Sequence, residues 1–174
     1  MIAITYASEL TNFSFDKMDE ILAASDRNNV RDDITGALVY NTEFALQCLE
    51  GPAAAIKAAF SRICEDDRHR QVKLLSVRNI RRRQFPDWSM RACVVEGETL
   101  RGLKIIPHIP LVGFRPTAWS EKDALTFVGA LSDHLTQTRS RPSEDDAPRR
   151  IVRPRPVGRV DPVSELEQRI AGLM

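Results

Sequence analysis

The chain is predicted to be an α+β protein of ferredoxin-like βαββαββ order, a five-stranded mixed sheet with two helices on one face and C-terminal helices on the other. Three observations point there. Apolar spacing alternates between period two and period 3.6 along the first 95 residues. Two strand patterns meet at an Asn41-Thr42 turn, the signature of a hairpin. Right-handed crossovers then leave both intervening helices on one side of the sheet.

The elements follow in order. "MIAITYAS" (1–8) reads as a strand, with Ile2, Ile4, Tyr6 and Ser8 on one face. "SFDKMDEILAASDRNN" (14–29) reads as a helix, with Ser14 at the N-cap, Lys17 at N3, and Phe15, Met18, Ile21 and Leu22 along one stripe. "DITGALVYN" (33–41) and "EFALQCLEG" (43–51) are the hairpin strands. Pro52 opens an alanine-rich second helix, "PAAAIKAAFSRICEDD", at position N1, where its missing N–H costs nothing. "QVKLLSVRNIRRR" (71–83) reads as the fourth strand and "WSMRACVVE" (88–96), after a Phe85-Pro86-Asp87 turn, as the fifth.

Beyond these, "LKIIPHIPLVGFRP" is apolar but broken by prolines and predicts an irregular packed connector. "TAWSEKDALTFVGALSDHLT" predicts a helix capped by Ser120 and Asp123, its stripe of Leu125, Val128, Leu131 and Leu135 suited to the uncovered sheet face. Residues 139–162 are rich in proline and arginine and read as extended or disordered. "VSELEQRIAGLM" spaces Val163, Leu166, Ile170 and Leu173 on one side of a terminal helix, which could dock on a partner, on another subunit or back on the domain. The chain thus divides into a domain at 1–95, a connector and helix at 96–138, and a tail at 139–174.

At 174 residues, 43% hydrophobic, the chain suits one core plus an appendage, and a formal charge of +1 argues against a dominant nucleic-acid surface. Cys48, Cys64 and Cys93 are widely spaced and form no metal-ligand pattern, so they read as reduced core thiols of a cytoplasmic protein. No apolar run is long enough to span a membrane, and no secretory leader is visible. No Walker loop, metal cluster or Ser-His-Asp set appears either.

One residue sits awkwardly. In "ALQCLEGP", Gln47 lies between the apolar residues Ala45 and Leu49 on one strand face. The strand order puts it beside Tyr6, beneath the groove between the two helices. A buried amide without partners costs about 1–3 kcal/mol. Either Tyr6 satisfies it within an ordinary core, or a ligand with polar edges does.

Tyr6 with Ser8, Asn28-Asn29, "DITGALVY", "LQCLEGP", "DRHR" and "FPDWSM" resemble, in order and spacing, the BLUF family of blue-light sensor domains that hold FAD noncovalently. The resemblance covers roughly residues 1–95. It implies that Tyr6 and Gln47 carry the photochemistry: light drives electron and proton transfer from the tyrosine, the glutamine rearranges, and its changed bonding to the flavin edge shifts absorption to the red. The residue types suit this, because a phenol gives up an electron readily only if its proton can leave, and an amide both donates and accepts. By the same resemblance Asn28 and Asn29 contact the ring's polar edge, though Asn29 also suits a helix C-terminal cap. Ile34, Leu38 and Leu49 would line its apolar wall, or serve as plain core. Arg62, Asp66, Arg68 and His69 would meet the ribityl and phosphate groups, where an ordinary solvated helix end is the alternative. Trp88 and Met90 would relay the signal, supported by Ser8. Two residues depart from the family pattern: Ala45 stands where a larger aromatic is common, and Arg91 where a small residue is usual.

The resemblance implies a photoreceptor without its own catalytic output domain, acting on a separate effector through its C-terminal helices as a homo-oligomer. Two other classes remain on the residues alone. One is an acylphosphatase-like hydrolase using an Arg/Asn pair, which would lack its Gly-rich phosphate loop. The other is a flavin-free interaction module whose basic tail binds an acidic partner.

Overall fold

The computed structural model describes residues 1–11, 13–95, 113–138 and 161–173. Five strands, β1 (Ile2–Leu10), β2 (Thr35–Tyr40), β3 (Phe44–Gly51), β4 (His69–Asn79) and β5 (Arg91–Val94), form one sheet in the order β4-β1-β3-β2-β5. All neighbours are antiparallel except β2 and β5, which run parallel, so the sheet is mixed as the sequence predicts. The helices are α1 (Phe15–Arg31), α2 (Ala53–Glu65), α3 (Glu121–Thr138) and α4 (Pro162–Ala171), with a short 3-10 turn at Pro116–Ala118.

Register decides which side chains share a face. Tyr6 stands directly opposite Gln47 on β3, and Leu38 opposes Gln47 on β2, so all three point toward α1 and α2. On that side Ile2, Ile4, Leu49 and Leu74 pack under Ile56 and Phe60 of α2, while Met18, Ile21 and Leu22 of α1 pack against Leu10, Leu38 and Tyr40. The opposite face, with Ala7, Leu46, Cys48 and Leu75, is covered by Phe127, Val128, Leu131 and Leu135 of α3. Each of those four side chains contributes about 1.5–3 kcal/mol of burial, enough to hold α3 on the sheet. Its start is the predicted capping box: Ser120 Oγ accepts from Asp123 N–H at 3.2 Å and donates to Asp123 Oδ2 at 2.7 Å.

Several boundaries differ from expectation. β1 continues past Ser8 to Leu10, because β4 pairs with it up to His69. α1 runs on to Arg31, so Asn29 lies inside the helix instead of capping it; Ile34 N–H bonds the Asn29 carbonyl at 2.8 Å, and Asp33, at φ 52°, turns the chain out. Pro52 is the N-cap of α2 and not N1, with an extended ψ of 139°. β4 begins and ends earlier than "QVKLLSVRNIRRR": it starts at His69 and stops at Asn79. The arginines after it leave the sheet, Arg83 donating to the Asp33 carbonyl at 2.8 Å as the chain crosses the sheet end toward β2. β5 starts only at Arg91, so Trp88 and Met90 belong to the crossing loop, where Gly36 N–H bonds the Trp88 carbonyl at 3.1 Å.

The C-terminal helices do not share a face. α3 covers the second face as expected, whereas α4 folds back beside α2 at the β4 edge. Leu166 of α4 is wholly buried there with Ile170 and Leu173 packed around it, and the Leu173 carbonyl accepts from Asn79 Nδ2 at 2.8 Å. Lys57 of α2 pairs with Glu167 of α4. The proline-broken connector lies largely, and the Pro/Arg-rich stretch almost wholly, outside the described residues.

Candidate functional site

Between α1, α2 and the sheet lies a cavity of about 200 Å³. Tyr6 and Gln47 lie at its floor, with Leu38 and Ala45 beside them. Asn28 and Asn29 line it from α1, and Arg62, Asp66, Arg68 and His69 from the end of α2 and the start of β4. The alanine noted as small at position 45 keeps the floor open next to Gln47.

The floor is a hydrogen-bond chain. The Tyr6 phenol donates to Gln47 Oε1, and Gln47 Nε2 donates to Met90 Sδ at 3.2 Å. Sulfur accepts weakly, so the amide N–H groups are incompletely spent at the cavity side. Tyr6 is wholly buried, its ring edge-on to Phe60 at 5.4 Å, and burial pushes its phenol far above the ordinary tyrosine range. The phenol is therefore protonated at any physiological pH and acts as donor.

The α1 wall is tied to the crossing loop. Asn29 Nδ2 donates to the Ser89 carbonyl at 2.8 Å, and Ser89 Oγ donates to Asp26. At the opposite wall both arginines are already partnered. Arg68 grips Asp66 with Nε at 2.8 Å and Nη2 at 2.5 Å, which holds the Asp66 carboxyl below its usual range. Arg62 reaches Asp32 at 3.1 Å. His69 Nδ1 lies 2.8 Å from Ser8 Oγ, and burial lowers its pKa against the opposing pull of Asp66.

The expected site residues thus divide. Tyr6, Gln47, Asn28, Asn29, Leu38, Arg62, Asp66, Arg68 and His69 converge on one cavity. Ile34 and Leu49 do not line it; they are core residues beneath α2, packed with Ile4 and Phe60. Ser8 is engaged by His69, away from the Trp88–Met90 segment it was expected to support. Met90 touches Gln47, while Trp88 lies on the other side of the sheet with Phe85, ring centroids 6.4 Å apart. Arg91 is exposed on β5. Ser25, Ala59 and Ile63 also line the cavity and escaped the sequence reading, as do Met18 and Ile21, which it read only as a packing stripe. A signal existed: the α1 stripe Met18, Ile21, Ser25, Asn28 becomes polar halfway along, unusual for a stripe facing only core.

Among the described residues no helix is long and apolar enough to cross a membrane, and no group of three or more His, Cys, Asp or Glu could hold a metal ion. No disulfide joins Cys48, Cys64 and Cys93.

The fold agrees with what the chain is similar to. It is 38% identical over 53 residues to the blue light- and temperature-regulated antirepressor BluF of Escherichia coli (strain K12), covering 30% of this chain and 13% of that protein. It is 29% identical over 98 residues to the photoactivated adenylate cyclase subunit beta of Euglena gracilis, covering 55% of this chain and 11% of that protein. The chain therefore spans only about a tenth of the length of these curated relatives. Among solved structures, the dark state of BlrB, a BLUF protein, superposes with a TM-score of 0.63 at 30% identity, over 75% of this chain and 96% of that one. The photo-activated state of BlsA shares the fold at a TM-score of 0.65 and 24% identity, over 75% of this chain and 94% of that one. A sequence model of the sensors of blue light using FAD matches residues 1–91. With its Tyr6–Gln47 pair at the floor of the cavity that this matched region builds, the chain belongs to the BLUF family.

Proposed function

We propose that the cavity between α1 and α2 holds the isoalloxazine ring of FAD, and that light is registered as a change in the hydrogen bonds of Gln47. The observation that carries this reading is the buried amide itself, held by a phenol on one side and only a thioether on the other. The fit is favourable. A cavity of about 200 Å³ is small beside the roughly 300–1,000 Å³ of whole-ligand pockets, so it suits a flat ring whose chain leaves through the mouth. The amide groups of Asn28, Asn29 and Gln47 match a ring edge that both donates and accepts.

When bound, an oxidised flavin supplies the blue absorption and a strong oxidant on excitation. Tyr6 is the donor: its phenol proton already points at Gln47 Oε1, so an electron can depart with the proton handed to the amide. Gln47 is the switch, because turning or tautomerising the amide exchanges a donor for an acceptor at the cavity. Asn28 and Asn29 orient the ring, with Ile34 and Leu49 packing beside the floor under α2. Arg62, Asp66, Arg68 and His69 meet the ribityl and phosphate groups at the mouth, with Arg62 oriented by Asp32 and Arg68 by Asp66. Met90 and Trp88 pass the change into the crossing loop. The effector is a separate protein contacted through the C-terminal helices of a cytoplasmic homo-oligomer. A hydrolase reading is weaker, since the chain lacks the Gly-rich phosphate loop it would need.

The test is optical. The purified chain loaded with FAD should be yellow, shift its spectrum to the red under blue light and recover in darkness. Tyr6→Phe or Gln47→Leu should keep the colour and abolish the shift. A chain that takes up no FAD would defeat the reading.

A further inference from the structure

Glu50 lies three residues beyond Gln47 on β3, on the opposite face of the sheet, and is wholly buried. Its two carboxylate oxygens accept the backbone N–H groups of Gln84 and Phe85, each at 3.0 Å. A buried carboxylate is retained only when its oxygens are met by good donors. Here both donors come from the loop that crosses the sheet end. Gln84 is also met from two further elements: Arg78 of β4 donates to its side-chain oxygen at 3.0 Å, and Ser132 of α3 donates to its carbonyl at 2.8 Å.

The same loop ends, five residues after Phe85, at Met90, whose sulfur accepts from Gln47. The segment from Gln84 to Met90 is therefore closed at both ends on one strand, by Glu50 on the α3 side and by Gln47 on the cavity side. Between those ends Gly36 holds it at Trp88, and Asn29 and Asp26 hold it at Ser89. β3 is a central strand paired on both sides, so it does not give. Any movement of Met90 relative to Gln47 has to be absorbed in the short loop or delivered to Gln84, and from Gln84 to Ser132.

We propose that Glu50 is a positioning residue for Gln47: by clamping Gln84 and Phe85 it sets where Met90 meets the amide, and through Gln84 it connects that contact to Ser132 on α3. The consequence in light rests on the flavin reading above; the clamp itself does not. In Glu50→Gln one oxygen still accepts, but the new NH2 opposes the second backbone N–H, so one of the two bonds is lost without a change of size.

The decisive measurement is NMR on the full chain, first without flavin. Glu50→Gln should speed exchange of the Gln84 and Phe85 amides at least about tenfold and move the side-chain NH2 resonances of Gln47. Ser132→Ala, which deletes only a hydroxyl at a buried position and is expected to fold normally, should move the same Gln47 resonances by less and loosen the middle of α3. Faster exchange at Gln84 and Phe85 with the Gln47 resonances unmoved would make Glu50 a stabilising group only and overturn the proposal. Should Glu50→Gln not fold, Ser132→Ala decides alone: unmoved Gln47 resonances overturn it. Loaded with FAD, Glu50→Gln should keep the red shift but change its dark recovery several-fold. Failure to take up FAD would count against the proposed function and leave the NMR result standing.

Discussion

Removing the Tyr6 hydroxyl and the Gln47 amide separately and together tests the floor of the cavity without any flavin. Tyr6→Phe leaves Gln47 Oε1 without its donor, and Gln47→Leu leaves the phenol without its acceptor. Because Tyr6 is 0% and Gln47 6% exposed, bulk water cannot fully replace either bond, and each single change should cost about 1–3 kcal/mol. Gln47 faces the cavity, where a water can reach it, so Tyr6→Phe belongs at the lower end. The phenol lines the same cavity but is the more deeply buried of the two, against Phe60, which places Gln47→Leu higher. The double variant strands neither group, and its cost should fall short of the sum by about 1–2 kcal/mol. With a urea slope of about 1–3 kcal/mol per molar, each single variant lowers the midpoint by roughly 1 M, which equilibrium unfolding resolves easily. Additive costs, to within about 0.5 kcal/mol, would refute the claim that these two groups bond each other in the flavin-free chain.

Other consequences are as concrete. A Cβ at Gly36 would sit 2.1 Å from the Cys48 carbonyl oxygen on the paired strand, so Gly36→Ala should cost about 3 kcal/mol or more in the same unfolding experiment. Leu166→Ala should remove about 2–5 kcal/mol from α4 docking, seen as loss of amide protection confined to 162–171, since so short a helix does not persist alone. Burial holds the His69 pKa below its usual 6.5, so the folded chain binds this proton less readily than the unfolded one. That contribution is complete above about pH 6.5 and is lost as pH falls through the lower folded value, and His69→Gln should flatten stability against pH in that window. Burial raises the Cys48 thiol to about 12, so at pH 8 a thiol reagent should modify Cys48 only after unfolding.

Periodicity was enough to read the strand and helix order, and strand order alone put Tyr6 beside Gln47, because antiparallel pairing leaves little choice once the crossovers are right-handed. Alternation along β3 likewise showed an amide on an apolar face before any contact was known. What depended on contacts distant in sequence was not legible. Ile34 and Leu49 have the same composition and spacing as wall residues, and only the placement of α2 over them makes them core. Ser8 shares a face with Tyr6, yet a bulge between β1 and β4 brings His69, and not the crossing loop, to its hydroxyl. Trp88 and Met90 read as strand because apolar alternation continues through them, while Gly36 and Asn29 hold that segment as a loop. The amphipathic pattern of 163–174 fits several surfaces equally, and burial of Leu166 beside α2 selected one. Local pattern determined which residues turn inward; the tertiary structure decided what they meet there, because a side chain's partner is set by packing across elements that its own neighbourhood in the chain does not encode.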